Sequence, residues 1–197
     1  MNPRLAQKSI RSPVATALYR RTTMNSRTDS HTLIGDVGSG KKRRTWLFSN
    51  KDYSDFRLRF EFRMDPETES GIALRTIPVF NIQKDGRIAI LLTNNPKEPI
   101  PNGTIVTWGG GVAHPQFTPK SAVALRANKA WNTAEIEFRG SHILAAINGQ
   151  TIHDVQLDQP PGTDKPIAGF LQKSGRLALD CHTGRVEFRK IEIQESN

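Results

Sequence analysis

The chain has 197 residues, enough for one domain with a real core, and its 36% hydrophobic content suits a folded unit carrying a polar tail. The formal net charge of +9 is unevenly placed: residues 1–44 hold ten Lys and Arg against two Asp and Glu, whereas residues 45–197 hold 18 against 17. A nearly neutral remainder argues against a nucleic-acid-binding fold, the single Cys181 excludes an internal disulfide, and no run of about 18 apolar residues could span a membrane.

Residues 1–30 are rich in Arg, Ser and Thr and carry no acid before Asp29. This composition predicts a disordered basic extension or a mis-assigned leader, with Met24 as an alternative start. It makes a poor secretory signal, because the apolar stretch PVATALY is short and is followed by arginines. The run KKRR at 41–44 reads as a solvated charge cluster. The expected organisation is a tail over 1–44 and a domain over 45–197.

From residue 45 onward the chain reads as short strands separated by turn chemistry. TWLFS (45–49) opens the series. FRLRFEFRM (56–64) follows, with Phe56, Leu58, Phe60, Phe62 and Met64 on one face and Arg57, Arg59, Glu61 and Arg63 on the other. Next come GIALR (71–75), then FNIQ (80–83) and RIAILLT (87–93) around a KDG turn, then TIVTW (104–108) ahead of three glycines. Residues 112–130 contain two prolines and read as a long loop crossing one face. AEIEFRG (134–140), HILAAING (142–149) and QTIHDVQL (150–157) form successive hairpins turning at Gly-Ser and Asn-Gly. The last strands are IAGFLQ, RLALDC and RVEFRKIEI, the final two separated at Thr183-Gly184. So many short strands, with almost no helical periodicity, predict an all-β sandwich.

In that order, TWLFSNKDYSDFRLRFEFRM, SGIALR, NIQ, WNTAEIEFRGSHILAAING and CHTGRVEFRKIEI resemble the 3-keto-disaccharide hydrolase domain family. The resemblance covers residues 45–197. It implies a jelly-roll β-sandwich of the concanavalin A-like lectin/glucanase type, and a periplasmic or secreted location, since members are often exported. The start of the chain as written points instead to the cytoplasm. Four departures stand out. No counterpart of the family's opening LFNG-type strand is visible, which would leave a sheet edge unpaired. Asn81-Ile82-Gln83 stands where members carry Glu-Val-Gln or Glu-Ile-Gln, Leu179-Asp180-Cys181-His182 replaces Leu-Gln-x-His, and Lys190 follows Phe188-Arg189 in place of Asn.

The family reaction acts on a glycoside already oxidised at C3. The ketone acidifies the C2 hydrogen, a base removes it, the C1 substituent leaves, and water adds. On this reading Glu61 is the base, with His182 or Asp180 as the runner-up, and Arg63 and Arg75 stabilise the enolate. Arg59, Asn81, Gln83, Trp108, Asp180 and Arg189 complete the sugar-binding set, with Trp131 a second aromatic candidate. Each residue also has an ordinary structural role. Glu61 among arginines suits an ion-paired sheet face, Arg75 and Arg189 sit at strand ends, His182 suits a hydrogen-bonded turn, and Trp131 suits the core.

The expected partner is a saccharide or 3-keto-glycoside, with nucleic acid reachable only through the basic tail. No cofactor motif is present, although the acidic loop DPETE offers oxygen ligands for a weakly held divalent cation. A lectin-like binding module without catalysis is the alternative function.

Overall fold

The computed structural model describes residues 28–29, 32–38, 45–77, 87–109, 112–127, 129–158, 170 and 172–196, with the backbone alone at Thr28, Asp29, Arg87, Trp108, Gly109 and Val112. The strands are β1 (Thr28–Asp29), β2 (Thr32–Gly38), β3 (Thr45–Phe48), β4 (Phe56–Met64), β5 (Glu69–Thr76) and β6 (Arg87–Thr93). They continue as β7 (Ile105–Gly109), β8 (Val112–Phe117), β9 (Asn132–Arg139), β10 (His142–Ile147), β11 (Gln150–Gln156) and β12 (Arg176–Glu195). The all-β sandwich expected from the sequence is the architecture observed.

Strand β12 organises the whole. Its first half pairs with β3 on one side and β5 on the other, and β6, β7 and β8 follow β5. Its second half pairs with β2 and β4, and β9, β10 and β11 follow β4. These two layers are called here the β5 sheet and the β4 sheet. All of these strand pairs are antiparallel, so one continuous hydrogen-bonded ribbon folds over on itself.

The core lies between the layers. Phe56, Leu58, Phe60 and Phe62 of β4 are each 0% exposed. They meet Ile72, Leu74, Ile88, Ile90 and Leu92 from the β5 sheet. Full burial of each such side chain contributes about 1.5–3 kcal/mol. The alternation seen in the sequence is thus a core face and an outer face.

The inward phase changes along β12. Leu177, Leu179 and Cys181 point into the core before residue 184, and Val186 and Phe188 do so after it. The register with β5 shifts between Cys181 and Thr183, and that with β2 shifts between Gly184 and Arg185. A bulge of this kind lets one strand serve two sheets. Gly184 has φ +66, and a Cβ there would collide with the Thr68 Oγ1. The Thr183-Gly184 pair, expected to separate two strands, is therefore a bulge inside one.

Three further expectations change. Residues 32–38, assigned to the tail, form a strand whose Leu33 packs in the core, so the domain begins before residue 45. A sheet edge was expected to lack a partner; β2 supplies one to the second half of β12. Residues 112–117, read as loop, form β8, whose Pro115 is tolerated on an edge strand. The expected strand at 80–83, the KDG turn, and most of IAGFLQ lie outside the described residues.

Candidate functional site

The outer faces of the two sheets divide the expected site residues between them. On the β4 sheet, Glu61 accepts from Arg189 Nε at 2.6 Å and from Lys190 Nζ at 2.8 Å. Arg63 donates to Glu187 Oε2 through Nε (3.0 Å) and Nη2 (2.8 Å), and Arg185 donates to the other oxygen of the same carboxylate. Arg59 lies 3.8 Å from Glu135.

Trp131, expected in the core, instead lies half-buried on this outer face. Arg189 and Arg63 sit over its ring at 3.8 and 4.6 Å from the centroid. The cluster therefore pins the segment before β9 to the sheet. Lys190, and Arg189 after it, hold the Glu61 carboxyl below its ordinary value, which makes it a weaker base.

Arg75 belongs to neither face. It is 2% exposed and adopts φ +45 at the end of the sandwich. Its Nε donates to the Ser54 carbonyl and its Nη2 to Asp55 Oδ1. Nη1 donates to the Gly140 carbonyl, and the guanidinium stacks 3.6 Å over Phe138. These contacts tie the approaches to β4, β10 and β12 together. A Cβ on Gly175 would meet the Arg75 carbonyl carbon at 2.5 Å, so the backbone there is packed around this residue.

The outer face of the β5 sheet has a different character. Trp46, Phe48, Ala73, Ala89, Val106 and Ala178 form a second apolar cluster, separate from the main core. Its strands contribute mostly small side chains, with Gly71 aligned to Asp180 in the same ladder. Trp46 pairs with Asp180 on the other flank. Trp46 and Phe48 are themselves buried, at 9% and 3% exposed, so this cluster is packed and not an open aromatic surface.

At one end of this face His182 Nδ1 meets Glu69 Oε2 at 3.0 Å, with side-chain exposures of 24% and 14%. Asp180 is only 2% exposed. Of the two runner-up bases, His182 is thus the one that solvent reaches. The β-bulge aims it, since Thr183 pairs with Glu69 and leaves His182 as the extra residue. The Glu69 backbone N–H donates to Thr183 Oγ1, which fixes the two strands at this point.

The structure therefore brings Arg59, Glu61, Arg63 and Arg189 together on one outer face, and Asp180 and His182 on the other. The two faces are separated by the full thickness of the sandwich, about 10 Å between sheets before side chains are added. Neither expected enolate donor, Arg63 or Arg75, reaches the His182 face. Trp108 is on β7 of the same sheet, with its side chain outside the described residues, as are Asn81 and Gln83 entirely.

Glu69 and Trp46 were missed in the sequence. Glu69 has the right alternation to share a face with Gly71 and Ala73, but it was read as part of a turn-rich connection. Burial pushes the Cys181 thiol up to about 12, so it stays protonated and is no nucleophile. In the DPETE loop, Asp65 pairs with Lys129 and Glu67 with Lys97. Among the described residues no group of three His, Cys, Asp or Glu gathers to hold a metal. No helix among them is long and apolar enough to cross a membrane.

The fold is that of a jelly-roll sandwich shared by carbohydrate-related proteins. A candidate glycosyl hydrolase from Parabacteroides distasonis superposes with a TM-score of 0.65 at 18% identity, covering 85% of this chain and 88% of that one. Carbohydrate-binding module CBM66 from Bacillus subtilis gives a TM-score of 0.57 at 10% identity over 83% and 86% of the two chains. A Bacillus subtilis protein of unknown function with a galectin-like fold gives 0.63 at 10% over 86% and 85%. At these identities the likeness defines the fold alone. No curated protein matches the sequence. Residues 19–194 match the 3-keto-alpha-glucoside-1,2-lyase-like domain, and the chain belongs to that family of carbohydrate-active proteins.

Proposed function

We propose that this protein cleaves 3-keto-glycosides by elimination, on the outer face of the β5 sheet, with His182 as the general base. The observation that carries the reading is the 3.0 Å pair between His182 Nδ1 and Glu69. A neutral ring whose hydrogen sits on Nδ1, toward that carboxylate, carries its lone pair on Nε2, where it can take a proton. The sugar's C2 hydrogen, made acidic by the C3 ketone, is that proton. The electrons pass into the enediolate, the C1–O bond breaks, and the leaving oxygen takes up a proton. Water then adds at C1 while C2 is reprotonated, so the net products are the 3-keto sugar and the free leaving group.

Glu61 is less suited to this step, because two cations hold it ionised and lower its basicity. Its face is here assigned a structural role. The elimination route predicts that a 3-keto-disaccharide incubated with the protein in D2O releases a keto sugar carrying deuterium at C2, beyond the exchange seen without protein. Release with hydrogen retained at C2 would instead mean direct displacement at C1. Saturable binding without release would mean a lectin-like module.

A further inference from the structure

The segment between β8 and β9 lays Val123 and Leu125 against the main core and covers part of it. Side-chain amides hold it there. Asn102 Nδ2 donates to the Val123 carbonyl at 3.1 Å, Asn148 Nδ2 to the Ala124 carbonyl at 3.4 Å, and Gln150 Nε2 to Ser121 Oγ at 2.7 Å. The Arg126 backbone N–H donates to Asn132 Oδ1 at 2.8 Å. Main-chain donors orient two of the asparagines, because an N–H can only donate. The Thr133 N–H meets Asn148 Oδ1 at 3.1 Å, so Asn148 turns its Nδ2 to Asn132 Oδ1 at 2.9 Å. Asn132 Oδ1 thus receives both Arg126 and Asn148.

Asn102 and Asn148 share a second feature, since each is followed by glycine. Glycine is the neighbour that least obstructs attack of a backbone nitrogen on the asparagine side-chain carbon. The surroundings of the two pairs differ. Gly103 is buried, its N–H donates to the Leu91 carbonyl at 2.8 Å, and a Cβ there would press on Ile152, Pro119 and Val123. Gly149 is exposed at the tip of the β10–β11 hairpin, with nothing within 4 Å of where a Cβ would stand. Asn148 and Gly149 take φ +53 and +79, the two-residue turn that Asn-Gly favours.

We propose that Asn148 is a site of spontaneous deamidation in the folded protein, and that its conversion releases the segment between β8 and β9. The Gly149 backbone nitrogen attacks Asn148 Cγ and closes a five-membered succinimide. The Cγ–Nδ2 bond breaks, and ammonia leaves with the proton from the attacking nitrogen. Water then opens the ring to aspartate or isoaspartate, so the net change is an amide hydrolysed to a carboxylate. Asn102 is protected by the hydrogen bond and the packing of Gly103. In the aspartate product a carboxylate oxygen stands where Asn148 Nδ2 stood, facing Asn132 Oδ1 and the Ala124 carbonyl. Acceptors then meet with no hydrogen between them, and Asn132 loses the partner that helps aim it at Arg126. The isoaspartate product lengthens the main chain inside a turn whose length sets the register of β10 with β11.

The full chain is kept for several days at mildly alkaline pH, folded and in urea. Its peptides are then separated to locate the mass gain of an amide becoming an acid at each asparagine. Folded protein should convert Asn148 and spare Asn102, whereas unfolded protein converts both. Conversion of Asn102 in the fold at the rate of Asn148, or no conversion of Asn148 there, overturns the site. Release is read by limited trypsin digestion, since Lys120, Arg126 and Lys129 are exposed in this segment. Asn148→Asp should be cut there about tenfold or more faster than the wild type, with cuts elsewhere unchanged. Aged wild-type protein, folded before it converts, gives the same comparison without relying on the folding of the variant. Its segment should be cut faster in proportion to conversion. Cleavage of the segment at the unconverted rate overturns the release, and so does faster cutting at every site, which would mean general loosening.

Discussion

Substituting Glu61 by Gln removes a carboxylate shared by Arg189 and Lys190 and leaves the side chain's volume unchanged. The pair is partly exposed, with Glu61 18% and Lys190 64% accessible, so the expected loss of stability is about 1 kcal/mol by urea unfolding. Because Lys190 and Arg189 lower the Glu61 carboxyl, the contribution is present above its ordinary value of 4.5 and fades as pH falls through the lowered folded value.

His153 predicts a dependence at higher pH. It is 4% exposed, and its Nε2 lies 2.7 Å from the Gly103 carbonyl. Burial, only partly opposed by that bond, lowers it from an ordinary 6.5. The unfolded chain therefore takes up a proton before the folded one does. Stability should be level above about pH 6.5 and decline below it, by at most about 1.4 kcal/mol per pH unit for this group. Urea midpoints measured from pH 8 to pH 5 should fall less steeply in His153→Gln.

At the scale of elements, β12 shows where the sequence was legible and where it was not. The runs RLALDC and RVEFRKIEI are both visible by alternation. The Thr-Gly between them looks like a turn, because turn and bulge both favour a glycine with positive φ. Only the ladders to β2, β4 and β5 reveal that the strand continues and changes its inward phase. Strand β4 was fully legible, because five apolar residues at period two leave one register possible. Strand β2 was hidden by its setting: LIGDVG is short, holds two glycines, and follows a long basic stretch. Gly184→Ala should cost about 2 kcal/mol, combining a positive φ with the approach to Thr68. A shift of the thermal midpoint within error of the wild type would show that the bulge tolerates a side chain.

For the molecule as a whole, the sandwich could be read from strand spacing and the absence of helices, and family membership from the ordered set of phrases. The site could not be read in the same way. Alternation says which residues share a face of one strand, but not which outer face of a two-layer fold holds the chemistry. Arg59, Glu61 and Arg63 looked like a binding floor because they are polar and aligned, and their partners Glu187, Arg189 and Trp131 come from distant parts of the chain. Arg75 looked like a donor because nothing local shows that three loop ends converge on it. His182 and Asp180 were seen as candidates, whereas Glu69 becomes meaningful only when β5 is set beside the bulge in β12.

The most direct test of this account compares turnover of one 3-keto-disaccharide by the wild type, Glu61→Gln and His182→Ala. The assignment of the β5-sheet face predicts that Glu61→Gln keeps wild-type kcat within a few-fold, while His182→Ala loses about 100-fold or more. Turnover abolished in Glu61→Gln and retained in His182→Ala would contradict it and return the chemistry to the arginine-lined face.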